Sequence, residues 1–116
     1  MEIKRYEGNG RMSKAVVHGN TLYLCGQTSR EGGDVAQQTR DVLAKVEQLL
    51  NAYGSDKEHM LSATIYLRDI KDFAAMNEVW DAWVVPGCEP ARACVESRLA
   101  ADIIAVEVVV VAALKD

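Results

Sequence analysis

The sequence predicts an α+β domain: a single mixed β-sheet carrying two helices on one face and assembling through the other. Three features carry this expectation. Segments of period two and period 3.6 follow one another in the order β-β-β-α-β-α-β-β. Only two of them are amphipathic helices, enough to cover one side of a sheet. The last strand is apolar on both faces, so the side without helices needs a cover of its own.

Ile3 to Tyr6 reads as an edge strand. Lys14 to His18 and Thr21 to Cys25 flank Gly19-Asn20, a pair tolerant of positive φ, and form a hairpin. A polar loop, Ser29 to Gly33, leads to Asp34, a side chain suited to capping a helix. Val35, Thr39, Val42, Leu43, Val46, Leu49, Leu50 and Tyr53 then recur at helical spacing, and Gly54 is the stop. Leu61, Ala63, Ile65 and Leu67 alternate with polar neighbours as a strand does. Asp69 or Asp72 opens a second helix, with Phe73, Met76, Trp80 and Trp83 on its apolar stripe. Pro90 to Glu96 and Ile104 to Ala113 complete the sheet. The latter contains one charge, Glu107. No spare helix exists to cover its second apolar face, so another subunit is the expected cover.

Length and composition agree with one domain over residues 1–116. A chain of 116 residues can bury a core without staples, and 49% hydrophobic with 26% charged residues excludes a disordered chain. The balance of 13 Lys+Arg against 17 Asp+Glu gives a net charge of −4, and no basic cluster suits a phosphate backbone, so nucleic acid is not an expected partner. The stretch from Ile103 to Leu114 is too short to span a bilayer, which needs ~20 residues, so no membrane partner is expected either. Three cysteines without a CxxC pair, and no apolar leader after Met1, fit a reducing, cytoplasmic compartment. No two His or Cys residues have ligand spacing, and no metal is expected.

Few residues are candidates for chemistry. In Pro90-Ala91-Arg92-Ala93-Cys94-Val95-Glu96, the small residues Ala91, Ala93 and Val95 share one face and suit packing beneath a helix. That places Arg92, Cys94 and Glu96 on the uncovered, subunit-facing side. Arg92 is either an interface arginine paired with an acid such as Glu96, or a fork for a carboxylate ligand. An unpaired Glu107 in an apolar strand is costly, so it is a structural partner of Arg92 or Lys14, or a functional acid–base group. Cys94 lacks a histidine at a spacing that implies a catalytic pair, and a small buried cysteine is the simpler role. Gly26-Gln27-Thr28 offers backbone donors after a strand. Phe73, Trp80 and Trp83 read as core.

These residues resemble the YjgF/RidA family. Pro90 to Glu96 followed by Val106-Glu107-Val108 is similar to its signature, and Leu24-Cys25-Gly26-Gln27 is similar to its "SGQ" strand end. Gln38-Thr39-Arg40, Thr64 to Asp69 and Asp72 to Asn77 follow in the family's order, and Asn77 to Val85 looks closest to a YoaB-like branch. The resemblance implies a chorismate-mutase-like subunit, a homotrimer with sites at the subunit clefts, and hydrolysis of reactive enamines and imines such as 2-aminoacrylate to 2-oxo acids and ammonia. It implies no metal or organic cofactor. By the same resemblance Arg92 grips the substrate carboxylate, the Cys94 backbone lies beside the reacting centre, Glu107 attends the attacking water and Gly26 lines the pocket. Two positions depart from the family: Met12 stands where its "GPYSQA" tyrosine falls, and Cys25 where its pocket serine falls. Both make the pocket less polar. A non-catalytic trimer that binds small carboxylate metabolites is the alternative, and RNA cleavage, ascribed to some members, fits the acidic balance poorly.

Overall fold

Seven strands and two helices account for the chain in a computed structural model that describes residues 1–116. In order they are β1 (Ile3–Tyr6), β2 (Ala15–His18), β3 (Thr21–Leu24), β4 (Gln27–Thr28), α1 (Val35–Ala52), β5 (Met60–Leu67), α2 (Phe73–Trp83), β6 (Ala91–Glu96) and β7 (Val106–Ala113). The strands form one sheet in the order β1-β2-β3-β7-β5-β6, with β4 also on β7. Only β5 and β6 run parallel; every other pair is antiparallel. The sheet is mixed, as expected. Its thinnest extent is 20 Å, the depth of one helix layer on one sheet layer at ~10 Å spacing.

Asp34 caps α1, its carboxylate accepting from Gln37 N at 2.9 Å. At the other end Gly54 takes φ +87, and Ser55 N reaches back to Leu50 O at 2.9 Å. Both are marks of a left-handed helix stop. Val35, Val42, Leu43, Val46 and Leu50 are buried against the sheet together with Met76 and Trp80 of α2. Facing them are the alternate residues Val106, Val108, Val110 and Ala112 of β7 and Ala63, Ile65 and Leu67 of β5. Glu107, Val109, Val111 and Ala113 stand half-buried on the opposite face, which no helix covers. No helix is long and apolar enough to cross a membrane.

The structure corrects four local expectations. Leu61 is exposed, not buried, because the β5–β7 register shifts between Met60 and Ser62 and turns Met60 inward in its place. Asp69 caps only a 3-10 turn over Ile70–Asp72, and α2 begins at Phe73 with no side-chain cap. Phe73 is not core: it lies largely exposed, while Met76 and Trp80 are buried. The fourth concerns β6. Ala63 pairs with Arg92 and Ile65 with Cys94, so Arg92 and Cys94 fall in the rows that face the helices. Ala91, Ala93 and Val95 lie on the open face and are exposed. Small size was a poor guide here because β6 is an edge strand, where α2 leaves room for a long side chain beneath its rim.

Candidate functional site

The polar residues singled out from the sequence fall into two groups on opposite faces of the sheet. Under α2, the Arg92 guanidinium lies between aromatic rings, 5.3 Å from the centroid of Trp80 and 5.9 Å from that of Phe73. Its Nη1 donates to Asn77 Oδ1 at 2.8 Å. Phe73, Asn77 and Trp80 recur at four- and three-residue spacing and share one helix face. Two cation–π contacts and one hydrogen bond hold the guanidinium and leave most of its five donors free. No carboxylate lies within ion-pair distance of it; the ion pairs of the chain are Lys14–Glu7, Lys57–Glu47 and His59–Asp56. Glu96, the acid considered as its partner, instead accepts from Ile70 N at 2.9 Å.

Cys94 sits two residues along the same face, half-buried. Burial pushes its thiol up, and the nearby Arg92 charge offsets this in part. A thiol held protonated is no nucleophile. All three cysteines are free.

On the open face the second group gathers at an interruption of the sheet. Tyr23 pairs with Val111 and Gln27 with Val108. Residues 24–26 therefore span the gap that residues 109–110 span on β7, three against two, which is a β-bulge. The extra residue cuts β3 short of Cys25 and sets Gly26 against Glu107. An ideal Cβ at Gly26 would overlap Glu107 Oε2 and lie 2.9 Å from its carboxyl carbon. Only glycine leaves room for the carboxylate. Glu107 forms no ion pair, with Arg92 or with Lys14; Lys14 pairs instead with Glu7 at 3.6 Å. Cys25 N donates to Lys14 O at 2.9 Å, and Cys25 Sγ accepts from Gln27 Nε2 at 3.3 Å. Met12, 46% exposed, is at the tip of the β1–β2 connection.

Arg92 and Glu107 thus do not share a cleft within one chain. A groove of about 560 Å³ between α1 and α2 holds none of these side chains. No group of three His, Cys, Asp or Glu side chains is placed to hold a metal ion. Sequence reading missed Asn77 as a partner of Arg92. The legible signal was a polar residue inside the otherwise apolar stripe of α2.

A two-helix, one-sheet chain with an arginine free of ion pairs under its helices and a glutamate free of ion pairs on its bare face defines a class of small α+β protein. Comparison with known proteins agrees. A family model described as "Endoribonuclease L-PSP" matches residues 2–114, and the chain belongs to that family, whose relatives also carry the names RutC and YjgF. It is 43% identical over 114 residues to the RutC family protein YoaB of Escherichia coli K12, covering 98% of this chain and 100% of that one. The structure of NMB1025 from Neisseria meningitidis, a member of the YjgF protein family, is similar with TM-score 0.97 and 46% identity, over 100% of this chain and 98% of that one. A putative translation initiation inhibitor from Salmonella typhimurium is 39% identical with TM-score 0.87, over 97% of each chain.

Proposed function

We propose that this protein is a cofactor-independent deaminase that hydrolyses 2-imino and 2-enamino acids to 2-oxo acids and ammonia, acting as a homotrimer in the cytoplasm. One observation carries the reading. Arg92 and Glu107 are both unpaired, both half-buried, and stand on opposite faces of one sheet. A site that uses both takes them from two chains. Packing the bare face of one subunit against the β6–α2 edge of the next covers Val109 and Val111 and brings such a pair together, and a ring of identical contacts closes without an open edge.

The chemistry asks little of the protein. The substrate carboxylate takes the free edge of the Arg92 fork, which fixes the imine carbon in place. An enamine first takes a proton at its β-carbon and becomes the imine. Glu107 orients a water and accepts one of its protons as the oxygen adds to the imine carbon. It passes that proton to nitrogen, then takes the proton of the new hydroxyl and passes it on as well, so that the C–N bond breaks, ammonia leaves, and the carbonyl forms. Water supplies the oxygen. Gly26 leaves the Glu107 carboxylate room to work. Cys94 contributes its backbone and its packing, not a thiolate.

The family description names an endoribonuclease. With a net charge of −4 this chain offers RNA little attraction. A non-catalytic binder of small carboxylates is favoured by one feature: Met12 and Cys25 stand where the family resemblance implies a tyrosine and a serine, so two polar groups are lost.

The test generates imino acid in situ with an amino acid oxidase and follows its disappearance against buffer. Wild type accelerates it; Arg92→Ala and Glu107→Gln do not. Mixing the two inactive variants and allowing subunits to exchange restores activity at about a quarter of the sites, those pairing an intact Arg92 with an intact Glu107 from the neighbour. No acceleration by wild type, with the carboxylate still bound, makes the protein a binder. No restoration on mixing exchanged subunits refutes the shared site.

A further inference from the structure

Ala105 leads into β7 two residues before Glu107, and a strand flanks that entry on one side only. There Arg68 N, just past the end of β5, donates to Ala105 O at 3.0 Å. On the other side β4 has already ended, with Thr28 opposite Glu107. Gln38 of α1 takes the missing place. Its Oε1 accepts from Ala105 N at 2.8 Å, and its Nε2 donates to Ile103 O at 2.9 Å and to Gly33 O at 3.4 Å. Bonds to a carbonyl and to the N–H two residues on are those a parallel strand would make across Ile104. All three partners are backbone groups. Gln38 is 1% exposed, in the apolar stripe of α1 between Val35 and Val42, where packing alone would take a leucine. Ala105 is as deeply buried, so its N–H has no water to turn to if the glutamine is lost. Two turns further along α1, Lys45 Nζ donates to Thr28 O at 2.7 Å. One helix thus holds both strands that meet at the Thr28–Glu107 pair.

We propose that Gln38 is a positioning residue for Glu107: in place of the strand that β4 does not supply, its carboxamide clamps the entry of β7 and so sets where the Glu107 carboxylate meets Gly26. The catalytic consequence rests on the deaminase reading; the clamp does not. Gln38 touches no substrate in this assignment and acts through the backbone from Ala105 to Glu107. Register is what it protects. Glu107 is the only charge of β7, and a slip of one residue would turn it from the open face into the core. A frayed entry would let the carboxylate drift from the space that Gly26 leaves for it.

Gln38→Glu makes the clamp switchable. A protonated carboxyl keeps an acceptor for Ala105 N and a donor for Ile103 O, whereas an ionised one has acceptors only. Burial against two carbonyls favours the neutral form, so the clamp should hold at about pH 5 and open by about pH 8. Amide exchange on the whole protein, with wild type at the same pH as reference, reads this directly. Ala105 should keep its protection at the lower pH and lose about tenfold at the higher, while Ile65 in β5 stays protected at both. In turnover, kcat should be near wild type at the lower pH and about tenfold below it at the higher, with KM unchanged because Arg92 and Asn77 are untouched. Gln38→Met, which has no hydrogen-bonding amide, should show the high-pH losses at both. Should these variants fold poorly, Lys45→Met removes the exposed bond to Thr28 O and should lower kcat about twofold, again without moving KM. Ala105 protection that is the same at both pH values in Gln38→Glu, or intact in Gln38→Met, overturns the clamp. An open clamp with unchanged kcat, or with losses carried by KM, overturns the positioning role. If wild type turns over no imine, the deaminase reading fails and takes the catalytic role with it, and exchange at Ala105 alone decides the clamp.

Discussion

The Glu107 carboxylate fills the space that a side chain at position 26 would occupy. Gly26 is absent from the positive-φ residues of the chain, so its requirement is one of volume and not of backbone conformation. The bulge and the lone charge of β7 are therefore one feature: the extra residue brings backbone without a Cβ against the acid.

Gly26→Ala should destabilise the fold by no more than ~1 kcal/mol, the low end of overpacking, because the group in its way is the flexible end of the half-buried Glu107 side chain. It should also abolish turnover, because the carboxylate must leave its position. Removing the acid removes the clash, so Gly26→Ala should cost much less stability in a Glu107→Ala background. Urea unfolding of the four proteins gives the coupling directly. Additive losses would mean that the two residues do not compete for space.

At Arg92 the plane matters as much as the charge. Arg92→Lys keeps the charge but loses the planar fork, and should weaken 2-oxo acid binding by ~1.5–3 kcal/mol. Asn77→Ala should cost about 1 kcal/mol, because it loosens the guanidinium without removing it. Glu107→Gln should spare that binding and slow hydrolysis by ~10²–10⁴-fold. Calorimetric titration with a 2-oxo acid, set beside the imine assay, separates these effects. Equal binding by Arg92→Lys would remove the fork from the mechanism.

Much of this architecture was legible in the sequence because period and punctuation agreed. The α1 stripe with Asp34 before it and Gly54 after it specified a helix whose ends are as read. The unsupported apolar side of β7 announced a face without helices. What failed was sidedness on β6. Alternation says which residues share a face but not which face it is, and the parallel register with β5 settles that. β4 was illegible for a different reason: two residues carry no period. Arg92 and Glu107 stood out as anomalies, yet one strand's spacing cannot reveal that they lie on opposite sides of the sheet.

The bare face should be what holds the assembly together. Val109 and Val111 are half-buried there with Tyr23 and Val95, both close to half exposed. Val109→Asp would put a charge into a desolvated contact, a cost of several kcal/mol unless it is paired. Light scattering should then report monomer where wild type is trimer, with circular dichroism little changed. A wild-type monomer at micromolar concentration would remove the interface altogether.

Cys94 should behave as a packed thiol. Burial pushes its thiol up and Arg92 draws it down, so Arg92→Ala should slow its alkylation by iodoacetamide at neutral pH. Cys94→Ala should retain most of the turnover that Arg92→Ala loses. Peptide mapping after timed alkylation distinguishes Cys94 from Cys25 and Cys88. Faster alkylation without Arg92 would mean that access, not ionisation, governs this thiol.

The Glu7–Tyr53 pair should set a pH window of its own. The hydrogen bond from Tyr53, then the charge of Lys14, lowers Glu7 below the usual carboxylate range. The same hydrogen bond is the main reason that the Tyr53 phenol rises from 10.0 to about 12, with burial and the charges of Glu7, Tyr6 and Cys25 adding to it. A carboxyl lowered on folding contributes stability above its unfolded value, and loses it as pH falls through the folded one. A phenol raised on folding contributes below 10 and loses it as pH rises through about 12. Tyr53→Phe and Glu7→Gln should therefore be less stable than wild type between those limits, and the three proteins should converge beyond either. Phenolate absorbance offers a direct check. Of the four tyrosines, the one ionising last should vanish in Tyr53→Phe and move down towards 10 in Glu7→Gln. A last step that survives Tyr53→Phe would belong to another tyrosine and would unseat the pairing.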